Sequence, residues 1–268
     1  MPMDTALAFA IETAEKEYLR TRVENLTHIA GNPYGARVFA SGGLEGFHVQ
    51  ASPSPMLNRV YASSEADVEA LVDRLVRSSA RSTVTPLTGV PKSLAPCCLM
   101  AGRQLERLKG WTHLQFVSPI EQAVVNAHNV DIEHATGPAL AAFTALHASG
   151  FHTRPALLAV NQASFTGKGP GGALKILVIK EAGEVVAGAA LYLASNGVAY
   201  LGTAVTHKQA QGRGYHSALI AHRIALARER GSDWVAATAL ASSRSRRNLQ
   251  RAGLKVSHEQ GLYRLKDL

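Results

Sequence analysis

Val198-Ala199-Tyr200-Leu201-Gly202-Thr203-Ala204-Val205-Thr206 leads through Gln211-Gly212-Arg213-Gly214-Tyr215-His216 into a helical run from Ser217 to Arg230. The first segment is apolar and β-prone, which predicts a buried strand. The last places Leu219, Ile220, Ile224 and Ala227 on one face, with Gly231 where a C-cap glycine is expected. A strand that turns through glycines straight into a helix N-terminus leaves backbone N–H groups pointing outward, and the helix dipole favours negative charge there. Glycines at 212 and 214 carry no Cβ to keep a phosphate from the backbone. The stretch predicts a diphosphate cradle.

Two common cradles do not fit. A dinucleotide fingerprint needs a third glycine, and that position is Ser217; the P-loop pattern is nowhere in the chain. The stretch instead resembles the acetyl-CoA motif of the GNAT acetyltransferase superfamily, R/Q-x-x-G-x-G/A. Two registers compete. Gln209-Ala-Gln-Gly212-Arg-Gly214 fits literally, whereas Gln211-Gly-Arg-Gly214-Tyr-His216 puts Ser217-Ala218-Leu219-Ile220 on the family's small-small-Leu-Leu run. The second is preferred, and it sets His216 where the family usually carries Gly or Ala. The similarity continues: Asp233 to Ala239 reads as the next strand, and Ser242 to Leu254 is similar to the Ser-rich, Asn-containing helix that ends in Gly-Phe in many members. About a hundred residues follow the family's order.

At 268 residues with 46% apolar content, the chain has material for one large core or two ordinary ones, which excludes global disorder. The net charge is +8, and much of the excess lies between Thr206 and Arg251: Lys208, Arg213, Arg223, Arg228, Arg230, Arg244, Arg246, Arg247 and Arg251. Nucleic acid is one reading of such a patch. Given the resemblance, a polyphosphate cofactor in the same segment explains it as well and is preferred. The neighbouring Cys97 and Cys98 cannot easily meet disulfide geometry and read as reduced thiols in a helix. Glu12 and Glu15 interrupt the N-terminal apolar stretch, so no signal peptide is expected, and no apolar run approaches membrane-spanning length. A soluble, cytoplasmic protein is expected; nothing excludes a homo-oligomer.

From the N-terminus, Asp4 can cap a helix with Leu7, Ile11, Ala14 and Tyr18 on one face, running to about Leu26. Short β-type runs follow at Ala36–Ala40, Phe47–Ala51 and Leu57–Ala62, then a capped helix from Ser64 with Val68, Leu71, Val72 and Leu75 as its stripe. Ser82–Leu87 reads as a strand, Pro96 to Gly110-Trp111 as a helix, and Leu114–Val117 as a strand. Arg103 to Trp111 parallels Arg247 to Leu254, which suggests two GNAT-like halves; an unrelated α+β domain is the alternative. The division is 1–122, a degenerate half without a Gly-rich turn between Tyr61 and Glu65, and 123–268, the catalytic half. The second half predicts a strand at Val130–His134, helices from Gly137-Pro138 to His147 and from Arg154 to Phe165, and a hairpin of Ala173–Lys180 with Glu184–Ala194. The fold class is a mixed α/β sheet of α+β type, a GNAT fold preceded by a GNAT-like half.

What the resemblance implies about chemistry can be placed on residues. Acetyl-CoA would bind where the parallel strands Val198–Thr206 and Asp233–Leu240 splay apart, with pantetheine on the main chain of Val205 and Thr206 and the diphosphate at Gln211, Gly212, Arg213, Gly214, Tyr215 and His216. A strand N–H would also stabilise the oxyanion formed as an amine attacks the thioester. The family's common glutamate base maps to Tyr200, which is a poor base but can orient a water or simply be structural. The family's usual tyrosine acid maps to Leu249. Tyr215, His216 and Asn248 are nearby substitutes, and Asn248 could instead contact pantetheine. No metal motif is present, and His147 and His152 read as helix-end and loop residues rather than ligands. The resemblance implies an acetyl-CoA-dependent N-acetyltransferase acting on a small primary amine. Alternatives are acetylation of a protein Lys or N-terminus, and a non-catalytic acyl-CoA sensor.

Overall fold

In the computed structural model, which describes residues 5–41, 44–62, 88–91, 105–126, 128–167 and 169–265, eleven strands form one mixed sheet. The chain runs α1 (Thr5–Thr27), β1 (Ala36–Ser41), β2 (Leu44–Val49), β3 (Arg59–Ala62), β4 (Thr88–Pro91) and β5 (Leu105–Pro119). It continues with β6 (Glu133–His134), α2 (Gly137–Gly150), α3 (Leu158–Ser164), β7 (Leu174–Glu181), β8 (Glu184–Leu193) and β9 (Val198–Thr206). The last elements are α4 (Tyr215–Glu229), β10 (Trp234–Leu240), α5 (Arg244–Arg251) and β11 (Lys255–Leu265). Across the sheet the order is β1-β2-β3-β4-β11-β5-β10-β9-β8-β7-β6.

Alternation along β9 assigns the two faces. Val198 and Tyr200 join the core under α1, with Ile11, Tyr18, Leu19, Phe143 and Phe165. Ala199 and Leu201 join the opposite core, with Ile220 and Ile224 of α4 and Leu249 of α5. β9 and β10 are parallel, and α4 is the crossover between them. The hairpin β7–β8 turns at Ala182 and Gly183, whose φ of 48° and 87° match the two left-handed positions of a type I′ turn.

One region departs from the sequence reading. The helix expected up to Gly110-Trp111 is, from Leu105 on, part of strand β5. Leu, Glu, Arg and Lys favour a helix locally, but β5 lies between β10 and β11 and pairs antiparallel with both, and tertiary pairing overrides a weak propensity. The Arg103–Trp111 parallel to the last helix is therefore not a structural one over residues 105–111. Strands β4 and β11 were not anticipated either. The helix from Ser64, the strand Ser82–Leu87, the cysteine pair and the cap Asp4 lie outside the described residues.

β5 also shows how closely the two parts of the chain are joined. It precedes residue 123, yet its partners β10 and β11 follow it. Helix α1 adds a buried polar layer beneath the sheet. Gln260 Nε2 lies 2.5 Å from both Glu12 Oε2 and Glu15 Oε2, and His258 Nε2 lies 2.7 Å from Glu12 Oε1. Gln115 donates to Glu15 at 3.2 Å, and Arg59 pairs with Glu15 at 3.4 Å. Residues from α1, β3, β5 and β11 thus supply the donors that these buried carboxylates require, while Gln115 Oε1 and Gln260 Oε1 find no hydrogen-bond partner among the described residues.

Candidate functional site

The centre of the site is a break in pairing between β9 and β10. Their register runs Trp234–Val198, Val235–Ala199, Ala236–Tyr200 and Ala237–Leu201, and stops there. On the other side of β9 the register with β8 shifts between Ala189 and Leu191, whose partners are Ala204 and Leu201. Gly202 and Thr203 thus oppose the single residue Ala190, which is a β-bulge, and a bulge bends its strand. From the bulge onward Gly202, Thr203, Ala204 and Thr206 are partly exposed, where the preceding residues of β9 are buried. Val205 and Thr206 still pair with Gly188 and Ala187, but among the described residues their edge toward β10 has no strand partner. The result is a slot with backbone groups along one wall.

The cradle lies at the end of the same strand. A 3-10 turn at Lys208–Ala210 leads into exposed Gln211, Gly212, Arg213 and Gly214, and α4 begins at Tyr215. Gly212 and Gly214 have φ of 87° and 82°, and a Cβ on either would meet nothing within 4 Å. Glycine is there for its left-handed backbone and for the open space in front of it. No side chain caps α4, and the first amide bonded across the helix start is that of Ala218, to Gly214 O. An uncapped N-terminus facing open space fits a diphosphate.

The sequence-predicted residues divide into groups. Arg213 does not face the cradle freely: its Nη1 is 2.9 Å from both carboxylate oxygens of Glu181, and the Tyr215 hydroxyl donates to the same carboxylate. Those contacts, Tyr215 first, hold the Glu181 carboxyl below its ordinary range. His216 and Asn248 meet each other, with Asn248 Nδ2 2.7 Å from His216 Nδ1. Because Asn248 Oδ1 accepts from Arg251 at 3.0 Å, the amide nitrogen must donate, so His216 Nδ1 accepts and its proton sits on Nε2. Desolvation, then the Arg223 charge, lowers the His216 pKa to about 4.

Tyr200 is not with them. It pairs with Ala236 in the closed part of the ladder, is 1% exposed, and donates to Glu15 at 3.2 Å. Burial, then the Glu15 charge, pushes its pKa well above the tyrosine range. The arginines read as a cofactor patch are also partly committed elsewhere. Arg223 and Arg228 bind main-chain carbonyls, Arg246 binds Ala241 O, and Arg251 binds Asn248. Charge counted along a sequence does not say which arginines the backbone has already claimed.

Two residues reach the bulge that the sequence did not place there. Tyr18 accepts from the Thr203 amide at 3.4 Å, and His147 Nε2 is 3.1 Å from Thr203 Oγ1. These contacts span 185 and 56 residues, so no local pattern could have shown them. His147 is 7% exposed and stacks on exposed Phe151 at 4.5 Å. Burial, then the Arg22 charge, lowers its pKa to about 3. Among the described residues no group of three His, Cys, Asp or Glu could hold a metal, and no helix is long and apolar enough to cross a membrane.

The depressed pKa values of His147 and His216 predict an acid-sensitive fold. With folded pKa values of about 3 and about 4 against about 6.5 unfolded, the unfolded chain binds more protons between those limits. Their contribution is present above pH 6.5 and is lost as pH falls toward 4. Moving from pH 7 to pH 5 should cost about 2 kcal/mol per histidine. Urea midpoints of wild type and His147→Gln at both pH values check this: the variant should lose less, and equal losses would show that His147 does not contribute.

The family model described as acetyltransferase (GNAT) matches residues 145–254. A comparison with curated protein sequences returns no match. Among solved structures, the chain is similar to a GCN5-related N-acetyltransferase from Kribbella flavida at 14% identity and TM-score 0.66, covering 93% of this chain and 95% of that one. It is similar to one from Sphaerobacter thermophilus at 16% identity and TM-score 0.57, covering 84% and 81%. A tandem GNAT protein from the clavulanic acid biosynthesis pathway aligns at 11% identity and TM-score 0.60, covering 96% of both chains. At such identities the structures speak for the fold alone, and they carry it across nearly the whole chain. The family match, the interrupted β9–β10 ladder and the uncapped α4 agree: the chain carries a domain of the acetyltransferase (GNAT) family and has that family's mixed α/β fold.

Proposed function

We propose that the protein is an acetyl-CoA-dependent N-acetyltransferase that acts on a primary amine of a small molecule by direct attack in a ternary complex. The observation that carries the reading is the placement of slot and cradle on one continuous unit: β9 opens from β10 beyond Leu201 and then feeds the uncapped helix at Gly214. Backbone N–H groups at Gly212 to His216 would hold the diphosphate, and the free edge of Val205 and Thr206 would pair with pantetheine. The cofactor, when bound, supplies an activated acyl group as a thioester. Around it a strand N–H near Val205 and Thr206 would meet the developing oxyanion, with the Thr203 hydroxyl, held by His147, on the same strand. The division into a degenerate half at 1–122 and a catalytic half at 123–268 belongs to this proposal, with one cofactor expected per chain.

Acetyl-CoA and CoA should each raise Tm by about 5 °C or more at a hundredfold excess over Kd. A folded sample with no shift at millimolar cofactor would refute the reading. Release of CoA across a panel of small amines then separates turnover from binding. A second reading, a non-catalytic acyl-CoA sensor, is favoured by one observation: Tyr200 and Leu249, at the family's base and acid positions, are 1% and 2% exposed. Cofactor binding with no CoA release for any amine would support it. The catalytic part read for Tyr200 is tested by Tyr200→Phe. A fall in kcat at unchanged acetyl-CoA affinity supports that part, and a fall in Tm alone assigns the hydroxyl to the Glu15 layer.

A further inference from the structure

Arg223 lies in the middle of α4 and is 1% exposed. Its Nε donates to Leu219 O at 3.0 Å, within the helix. Its Nη1 donates to Ala190 O at 2.9 Å and to Gly202 O at 3.3 Å. Ala190 is the β8 residue at which the register shifts, and Gly202 is in the bulge opposite it. One guanidinium therefore grips both strands at the point where β9 leaves β10. From the other face the bulge is held just as tightly: a Cβ on Gly202 would lie 2.7 Å from the Tyr18 ring and 3.1 Å from the Ala190 Cβ.

Burying a cation on carbonyl oxygens alone is costly, and an apolar side chain of similar volume would fill the space without that cost. The burden is visible in its acidity, with desolvation lowering the Arg223 pKa to about 9. Such an expense is expected where the contact does something that packing cannot. Here it joins the helix whose N-terminus makes the cradle to the bulge that opens the slot.

We propose that Arg223 is a positioning residue for the acyl donor: it fixes the bulge at Gly202 against α4, so that the open edge of β9 stands in register with the N-terminus of the same helix. The proposal rests on the acetyl-CoA reading above. It predicts that Arg223 matters to the part of the ligand lying in the slot and not to the part lying in the cradle.

The test uses the full chain and titration calorimetry with two probes: acetyl-CoA, which would span both parts, and adenosine 5′-diphosphate, which carries a diphosphate and no pantetheine. In Arg223→Met, acetyl-CoA affinity should fall about tenfold while the diphosphate probe changes less than about twofold. Arg223→Lys keeps a donor but not the fork, so its acetyl-CoA affinity should lie between Met and wild type. Equal weakening of both probes would make Arg223 a general support of the fold, and no change in either would leave it without a role; both overturn the proposal. If Arg223→Met does not unfold cooperatively, the Lys variant decides, and wild-type affinity for acetyl-CoA in it overturns the proposal. Failure of the wild type to bind acetyl-CoA at all is a separate result, which refutes the acyl-CoA reading and this one with it.

Discussion

Gly214→Val should lose about two orders of magnitude in acetyl-CoA affinity while the protein stays folded. Gly214 has φ of 82° at the position just before α4, and a Cβ there would meet nothing within 4 Å. The fold therefore meets strain but no clash, and a β-branched residue in the left-handed region costs about 1–3 kcal/mol. That is a fraction of the roughly 5–15 kcal/mol that holds a typical domain. The open space is where the phosphates would approach. An isopropyl group filling it should displace about two hydrogen bonds to a charged ligand, each worth about 1.5–3 kcal/mol. Calorimetry on a variant shown to unfold cooperatively measures the loss, and Gly214→Ala should lie between it and wild type. Undiminished affinity would place the cradle elsewhere.

A fragment of residues 123–268 should be insoluble or should lack a cooperative unfolding transition, although it carries the whole family match. It would lack β5, leaving seven residues of β10, from Trp234 to Leu240, without their antiparallel partner and separating β11 from the sheet. It would also lack α1, whose Ile11, Tyr18, Leu19, Val23 and Leu26 are at most 2% exposed. At about 1.5–3 kcal/mol for each large apolar side chain, that loss is on the order of 10 kcal/mol, comparable to the net stability of a domain. Exposed strand edges beside newly bared apolar surface invite association. Solubility, near-UV circular dichroism and a urea titration decide the matter. A soluble fragment with a sharp transition would show that the C-terminal half folds independently of β5 and α1.

The strand–turn–helix unit was legible because everything it needs is local. Two glycines a residue apart, an apolar strand before them and a helical stripe after them fix the backbone without help from distant residues. The limits read for β9, Val198 to Thr206, are those of the structure, and the helix expected from Ser217 starts two residues earlier, at Tyr215. The same reading failed at 105–110, where residues with helical preference lie in a strand because β10 and β11 flank them. Propensity is a matter of tenths of a kcal/mol per residue. A central place in a sheet outweighs it.

The sequence by itself determined the family resemblance and the strand–turn–helix unit, since both depend on spacing within a few turns of chain. Only the tertiary structure decided where charge and hydroxyls go. It turned Arg213 to Glu181, joined His216 to Asn248, withdrew Tyr200 to Glu15, and brought Tyr18 and His147 to Thr203. Side-chain partners across 32 to 185 residues are chosen by packing, because a buried polar group must find a partner wherever the fold has placed one.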